Sequence, residues 1–319
     1  GIDCDAESIP SRMNAALEVY DATARRRLEA ARGFRRQDAL LVFDVPANGE
    51  YLVRVFDHTF RNGNDYFYRL TIHQGPHIAY VMPPAGLPGS NETYTLYGYN
   101  LPGGQPTEQQ LHGVTLEQLA VSIAVPADAA LLDAEPFVSP VASGTDAISW
   151  RLETPEGVSN PVQVFVADGA RVLEVEPNDE ATAPQAVPVS ADIAGQFSEK
   201  GDVDYYEFSA AAGDVLYIEA FGERIGSRAD PYLTIDQVAV DADGNETLKR
   251  LAAQDDVATT LYPLVFDTHT DDAVHRLQVP ADGKYRVSIR DRAWWIRGDP
   301  GLIDRLLICN DQPDLRQLA

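Results

Sequence analysis

The sequence predicts an all-β protein of three successive β-sandwiches. Three observations lead there: a long internal repeat, alternating apolar and polar residues in its best-matched stretches, and turn dipeptides between them. At 319 residues the chain is too long for one small sandwich and divides among two or three cores. Acidic side chains number 49 against 25 basic, a formal charge of −24. A surface that negative repels phosphate backbones, which argues against nucleic acid, and no apolar run approaches the roughly 20 residues that span a bilayer, which argues against membrane insertion. Cys4 and Cys309 are too few for a disulfide scaffold; they either bridge the two ends or stand as unrelated buried thiols. The polar opening Gly1 to Arg12 has no apolar signal-peptide core.

The repeat sets the boundaries. Val45-Pro46-Ala47-Asn48-Gly49-Glu50-Tyr51-Leu52-Val53-Arg54-Val55-Phe56-Asp57 recurs as Val279-Pro280-Ala281-Asp282-Gly283-Lys284-Tyr285-Arg286-Val287-Ser288-Ile289-Arg290-Asp291. Each copy continues to an Arg-Leu pair opening an apolar strand, Arg69-Leu70 and Arg305-Leu306. Upstream, the segment from Glu7 to Arg12 with Leu17 matches Glu223 to Arg228 with Leu233, and Ile2 matches Ile218. Asn48-Gly49 and Asp282-Gly283 are tight-turn dipeptides, and the residues after them alternate so that Tyr51, Val53, Val55 and Tyr285, Val287, Ile289 bury one strand face. The second copy begins near Leu173, so the first lacks its opening strands, about 45 residues by that comparison. A neighbouring chain completing the first sandwich is one expected partner.

Ala22 to Arg32 is rich in helix formers, but its counterpart, Ala242 to Leu251, reads as a turn leading into a strand, so a hairpin is expected in both copies. Between the copies, Pro83 to Gly89 and Asn100 to Gly104 are turn clusters. Tyr94 to Gly98, Leu119 to Val125, Ser149 to Leu152 and Val162 to Val166 are strand candidates, and Leu116 to Ala120 hints at a helical turn. The expected division is 1–75, 76–170 and 171–319.

Glu174-Val175-Glu176-Pro177-Asn178-Asp179, then Gly201-Asp202-Val203-Asp204-Tyr205-Tyr206, then Ala212-Gly213-Asp214, Ala229-Asp230-Pro231 and Val279 to Tyr285 together resemble the bacterial pre-peptidase C-terminal domain across nearly all of residues 171 to 310. Residues 2 to 75 resemble the later part of the same domain. The middle segment is similar to the Ig-like, plexin and transcription-factor (IPT/TIG) domain, through Pro83 to Gly86, Tyr97 to Leu101 and Thr154 to Pro161. The resemblance implies a partial jelly-roll-like sandwich, an Ig-like sandwich and a complete jelly-roll-like sandwich. It also implies a calcium site at Glu174, Glu176, Asn178, Asp179, Asp202 and Asp204, since calcium takes six to eight oxygen ligands. The bland alternative is that Pro177-Asn178-Asp179 is a solvated linker turn and that Asp202 and Asp204 cap a strand start.

Other chemistry finds no motif. Asp241 to Asn245 and Asp271-Asp272 lack a closing glutamate and read as turns. His58, His73, His77, His112, His269 and His275 form no His-Glu-x-x-His pattern or tight metal spacing, leaving zinc without support. No Gly-x-Ser-x-Gly elbow or phosphate-cradling glycine loop is present. Trp294 and Trp295, with Arg292 and Arg297, either stack on a ligand or fill a domain interface. The leading expectation is a non-catalytic accessory array, secreted, periplasmic or at the cell surface. It would mediate binding, adhesion or spacing toward a protein or polysaccharide at the cell surface or matrix. The alternatives are the ancillary region of a secreted peptidase or other hydrolase with its catalytic domain outside this chain, and a structural component of a cell-surface assembly.

Overall fold

The computed structural model describes residues 1–6, 9, 11–33, 38–111, 113–128, 145–257, 269–293 and 299–310. Among them the fold is all-β, and the one helical element is a 3-10 turn over Glu223–Ile225.

The first six strands are β1 (Ile2–Asp5), β2 (Ala15–Asp21), β3 (Arg27–Arg32), β4 (Ala39–Leu41), β5 (Tyr51–Asp57) and β6 (Arg69–Ile72). They form two three-stranded antiparallel sheets, ordered β4-β1-β6 and β3-β2-β5. Ile2, Cys4, Leu17, Val19 and Leu41 make the core between them, with Tyr51, Val53 and Val55 packed against it as their alternation predicts. The stretch rich in helix formers is the β2–β3 hairpin.

Nine strands follow: β7 (His77–Met82), β8 (Ala85–Gly86), β9 (Asn91–Tyr99), β10 (Gln105–Leu111), β11 (Val114–Ala124), β12 (Ala147–Trp150), β13 (Glu153–Thr154), β14 (Gly157–Val158) and β15 (Val162–Val166). A four-stranded sheet, β10-β11-β9-β7, and a three-stranded one, β12-β15-β8, enclose Tyr94, Leu96, Ile123 and Val164. The helical hint at Leu116 to Ala120 is wrong. Those residues lie in β11, which pairs with β9 from Glu117↔Gly98 to Ala124↔Asn91. Helix propensity in a short stretch is worth a few tenths of a kcal/mol per residue, less than a long ladder with one buried face.

The last ten strands are β16 (Ala170–Leu173), β17 (Gln185–Ala186), β18 (Ala191–Gln196), β19 (Asp204–Ala210), β20 (Val215–Phe221), β21 (Pro231–Val240), β22 (Glu246–Gln254), β23 (Val274–Gln278), β24 (Gly283–Asp291) and β25 (Ile303–Asn310). They form two five-stranded sheets, β16-β18-β25-β20-β23 and β17-β19-β24-β21-β22, around the largest core, which includes Phe197, Tyr206, Leu216, Leu233, Tyr285 and Leu306. The repeat is structural down to register. Ile2 faces Ile72 as Ile218 faces Ile308, and Leu17 faces Val55 as Leu233 faces Ile289. What differs is the flank. β25 is bordered by β18 and β24 by β19, whereas among the described residues their counterparts β6 and β5 are sheet edges.

Both cysteines are free thiols, Cys4 buried and Cys309 half-buried. Asp241 caps the β21–β22 turn, accepting from the N–H groups of Asp243 and Asn245 at 2.9 and 2.8 Å. Asp272 is more than a turn residue. Fully buried, it accepts from the N–H groups of Gly222, Glu223 and Arg224 and pairs with the Arg224 guanidinium at 2.7 Å, so it organises the 3-10 turn.

Residues from all three groups of strands share one apolar cluster of Tyr80, Tyr99, Leu111, Leu116 and Ile303, with Leu40 and Val42 packed against it. Arg305 adds a polar link. Its guanidinium donates to Asp192 at 2.7 and 2.5 Å and to the Val166 carbonyl at 3.1 Å.

Candidate metal centre

The six residues nominated for a cation converge at one end of the last sandwich, and the local fold explains how. The Glu174 N–H donates to the Ala194 carbonyl at 3.0 Å, carrying the parallel β16–β18 pairing one residue further. This turns the Glu174 carboxylate over the sandwich end, where it accepts from the Gln196 N–H and the Tyr206 hydroxyl, both at 3.0 Å. The next residues fold back, and the Asn178 carbonyl accepts from the Tyr205 N–H at 3.0 Å, tying the acidic run to β19. Asp204 opens β19 on the same inward face as Tyr206 and Phe208, so its carboxylate points into the sandwich.

Carboxylate oxygens of Glu174, Glu176 and Asp204 lie within 4.8 Å of one another, as do those of Glu176, Asp179 and Asp202, so Glu176 is common to both groups. Asn178 is 1 % exposed, and its side-chain oxygen faces only acceptors. With the amide turned over, its nitrogen donates to Asp204 Oδ1 at 3.2 Å and Glu176 Oε2 at 2.9 Å. Asp202 Oδ2 accepts a long bond from the Glu199 N–H at 3.4 Å. Asp202 Oδ1 and Asp204 Oδ2 are buried without a hydrogen-bond partner. Among the described residues no lysine or arginine pairs with these carboxylates.

One further carboxylate belongs here. Asp304 on β25 is fully buried, and among the described residues neither of its oxygens has a hydrogen-bond partner. It pairs in register with Gly195, where a Cβ would stand 2.7 Å from Asp304 Oδ1, so the missing side chain at 195 is what leaves room for the carboxylate. Its signal was present in the sequence. Leu302, Leu306 and Ile308 line the core at alternate positions, and an aspartate between them falls on the core face.

The electrostatics follow from crowding. Burial, then the charges of Glu174, Glu176 and Asp179, push Asp202 up to about 7 despite its bond from Glu199. Burial and Glu174 push Asp204 well above the carboxylate range, and burial with the Glu174 and Asp202 charges does the same to Asp304. Burial raises the Tyr206 hydroxyl too, so it stays a donor to Glu174. Without a counter-charge the centre holds protons; with a divalent cation it offers ionised oxygens and an amide, a hard-donor set suited to calcium. Trp294 and Trp295 lie outside the described residues.

No protein-family model matches the chain, and no curated protein matches it in sequence. Among solved structures it is similar to the pre-peptidase C-terminal domain of a collagenase from Bacillus anthracis, at 11 % identity and a TM-score of 0.27 over 39 % of this chain and 93 % of that one. It is also similar to PliG, a periplasmic inhibitor of g-type lysozyme from Aeromonas hydrophila, at 16 % identity and TM-score 0.27 over 44 % of this chain and all of that one. A third likeness is to the M60 catalytic domain with two CBM51 domains of Clostridium perfringens ZmpB, at 11 % identity and TM-score 0.28 over 92 % of this chain and 28 % of that one.

Proposed function

We propose that the chain is a non-catalytic accessory array of three modules, 1–75, 76–170 and 171–319, acting outside the cytoplasm. Its last module is of the pre-peptidase C-terminal type and is locked by calcium. The observation that carries the reading is the set of buried carboxylates at Asp202, Asp204 and Asp304 with oxygens that no donor meets. An uncompensated buried carboxylate costs on the order of several kcal/mol, so a fold that gathers them gains most from a cation. Asn178 supports the same reading, because a cation between its amide oxygen and the facing carboxylates satisfies both without turning the amide. Glu174, Glu176, Asn178, Asp179, Asp202 and Asp204 are the proposed ligands. Calcium fixes the acidic run against both sheets, and the array presents its faces to a protein or polysaccharide.

The test is a thermal melt in excess EDTA against millimolar calcium, on the wild type and on a Glu176→Ala/Asp202→Ala double variant. A calcium-dependent rise of several degrees in the wild type, absent from the variant, is the expected result. Identical melts with and without calcium in the wild type overturn the metal reading.

A further inference from the structure

We propose a second, chemically different metal site, for zinc or another borderline transition metal, formed by Asp3, His73 and His77 where the first two units join. It is independent of the acidic centre.

Three segments supply the donors. On β1, Ile2 and Cys4 enter the core, so Asp3 projects from the other face. Beyond β6, the His73 N–H donates to the Gly1 carbonyl at 3.1 Å, extending the ladder in which Asp3 faces Thr71. His73 therefore sits two residues beyond that partner, on the same face as Asp3. His77 opens β7 opposite Tyr99 of β9, and at the neighbouring Gly98 a Cβ would stand 2.1 Å from the His77 carbonyl oxygen, so only glycine admits this approach. The Asn160 side chain holds the next residue at both ends, accepting from the Ile78 N–H at 2.7 Å and donating to the Ile78 carbonyl at 2.9 Å. Both histidines are thus set by backbone that cannot easily shift.

The spacing matches a metal better than a simple ion pair. His73 Nε2 lies 2.8 Å from Asp3 Oδ2, and His77 Nδ1 lies 3.7 Å from Asp3 Oδ1. The second separation is too long for a hydrogen bond. With bonds of about 2.0–2.1 Å to a tetrahedral ion, neighbouring donor atoms stand about 3.3 Å apart, and the two separations, each to a different oxygen of Asp3, fall on either side of that value. One donor from each residue lies within 4.8 Å of the other two, and the imidazole rings stack at 6.1 Å and 26°. Two imidazoles and one carboxylate favour zinc over calcium, and three protein ligands leave a coordination position for water. Asp3 and His73 side chains are about a quarter exposed, at 24 % and 25 %, so an ion can reach them.

The test uses the whole chain, stripped with EDTA and then held in millimolar calcium so that the acidic centre is filled. Zinc is titrated by calorimetry, and cobalt(II) substitution is followed by visible absorption. The expected result is one zinc per chain and visible bands characteristic of four-coordinate cobalt. Binding weakens at least about tenfold in His73→Gln and in His77→Gln, and is unchanged in His58→Gln, whose imidazole pairs with Arg32 at 2.8 Å. Circular dichroism confirms that each variant is folded. No zinc uptake by the wild type overturns the proposal and leaves a histidine–aspartate pair. Undiminished uptake by both folded histidine variants also overturns it. Neither outcome bears on the calcium reading, which has its own melt.

Discussion

Tyr51 and Tyr285 occupy the same place in the two copies, and each hydroxyl donates to a carbonyl four residues back, Ala47 at 2.7 Å and Ala281 at 2.6 Å. Asp57 and Asp291 form a second such pair. Asp57 accepts from the Asn14 and Thr59 N–H groups, and Asp291 from those of Asp230 and Ala293. These two identities between the copies are thus kept in the same role, a side chain that closes a backbone turn. Asp304 escaped the sequence reading for the opposite reason. It lies in no motif, and the alternation that puts it on a core face does not say what it meets there, which is set only where β18 and β25 pair, with Gly195 beside it. Carboxylates here carry opposite signs of pH dependence. Burial pushes Asp57 up, but bonds from the Thr59 hydroxyl and the Arg61, Asn14 and Thr59 N–H groups outweigh it and hold the carboxyl at about 2. Its contribution is present above the ordinary value of about 3.9 and is lost as pH falls toward 2. Asp202, at about 7, binds its proton more tightly folded than unfolded. Calcium-free protein is therefore expected to lose stability as pH rises from about 4 to 7, and calcium-loaded protein to gain it over the same range. Urea unfolding across that window measures both slopes, and equal slopes with and without calcium contradict the assignment.

Strands with clean alternation were legible in the sequence. Tyr51 to Asp57 and its repeat lie where the turn dipeptides place them, and the hairpin over Ala22 to Arg32 became readable only through its counterpart, because composition there favours helix. Leu116 to Ala120 had no counterpart to correct it. The acidic run was legible as a motif, and its meeting with Asp202 and Asp204 follows from the Asn178 carbonyl pairing with the Tyr205 N–H at the start of β19. His73 and His77 were invisible as a pair, because what unites them is Asp3 from the far end of the first unit. The sheet edges lead to a kinetic expectation. β25 is bordered on both sides by β18 and β20, whereas among the described residues β6 pairs with β1 alone. Amides of β5 and β6 are expected to exchange with deuterium well before those of β24 and β25, read by peptide-level hydrogen exchange. Equal protection of the two sets would mean that another strand covers the first unit's edges.

At the scale of the whole molecule, the formal charge of −24 includes three carboxylates fully or nearly buried in one centre, while Glu92 meets Arg171 across the joint between the second and third units and Asp192 meets Arg305 within the third. The Arg305–Asp192 pair is the most buried of these, with side chains 3 % and 2 % exposed. Removing one partner strands the other charge in the interior. Arg305→Leu is expected to cost about 3–5 kcal/mol, and adding Asp192→Leu to recover part of that loss. Denaturant unfolding of the single and double variants reads the cycle, and purely additive losses would mean that the pair is not coupled.

Only Ala167, Asp168 and Gly169 separate β15 from β16, and a Cβ at Gly169 would stand 2.2 Å from the Ser190 carbonyl oxygen. Above this short passage Arg305 grips both the Val166 carbonyl and Asp192. The connection thus has no slack to take up. A pull on the chain between β15 and β16 therefore loads the β16–β18 hydrogen bonds and the arginine clamp together.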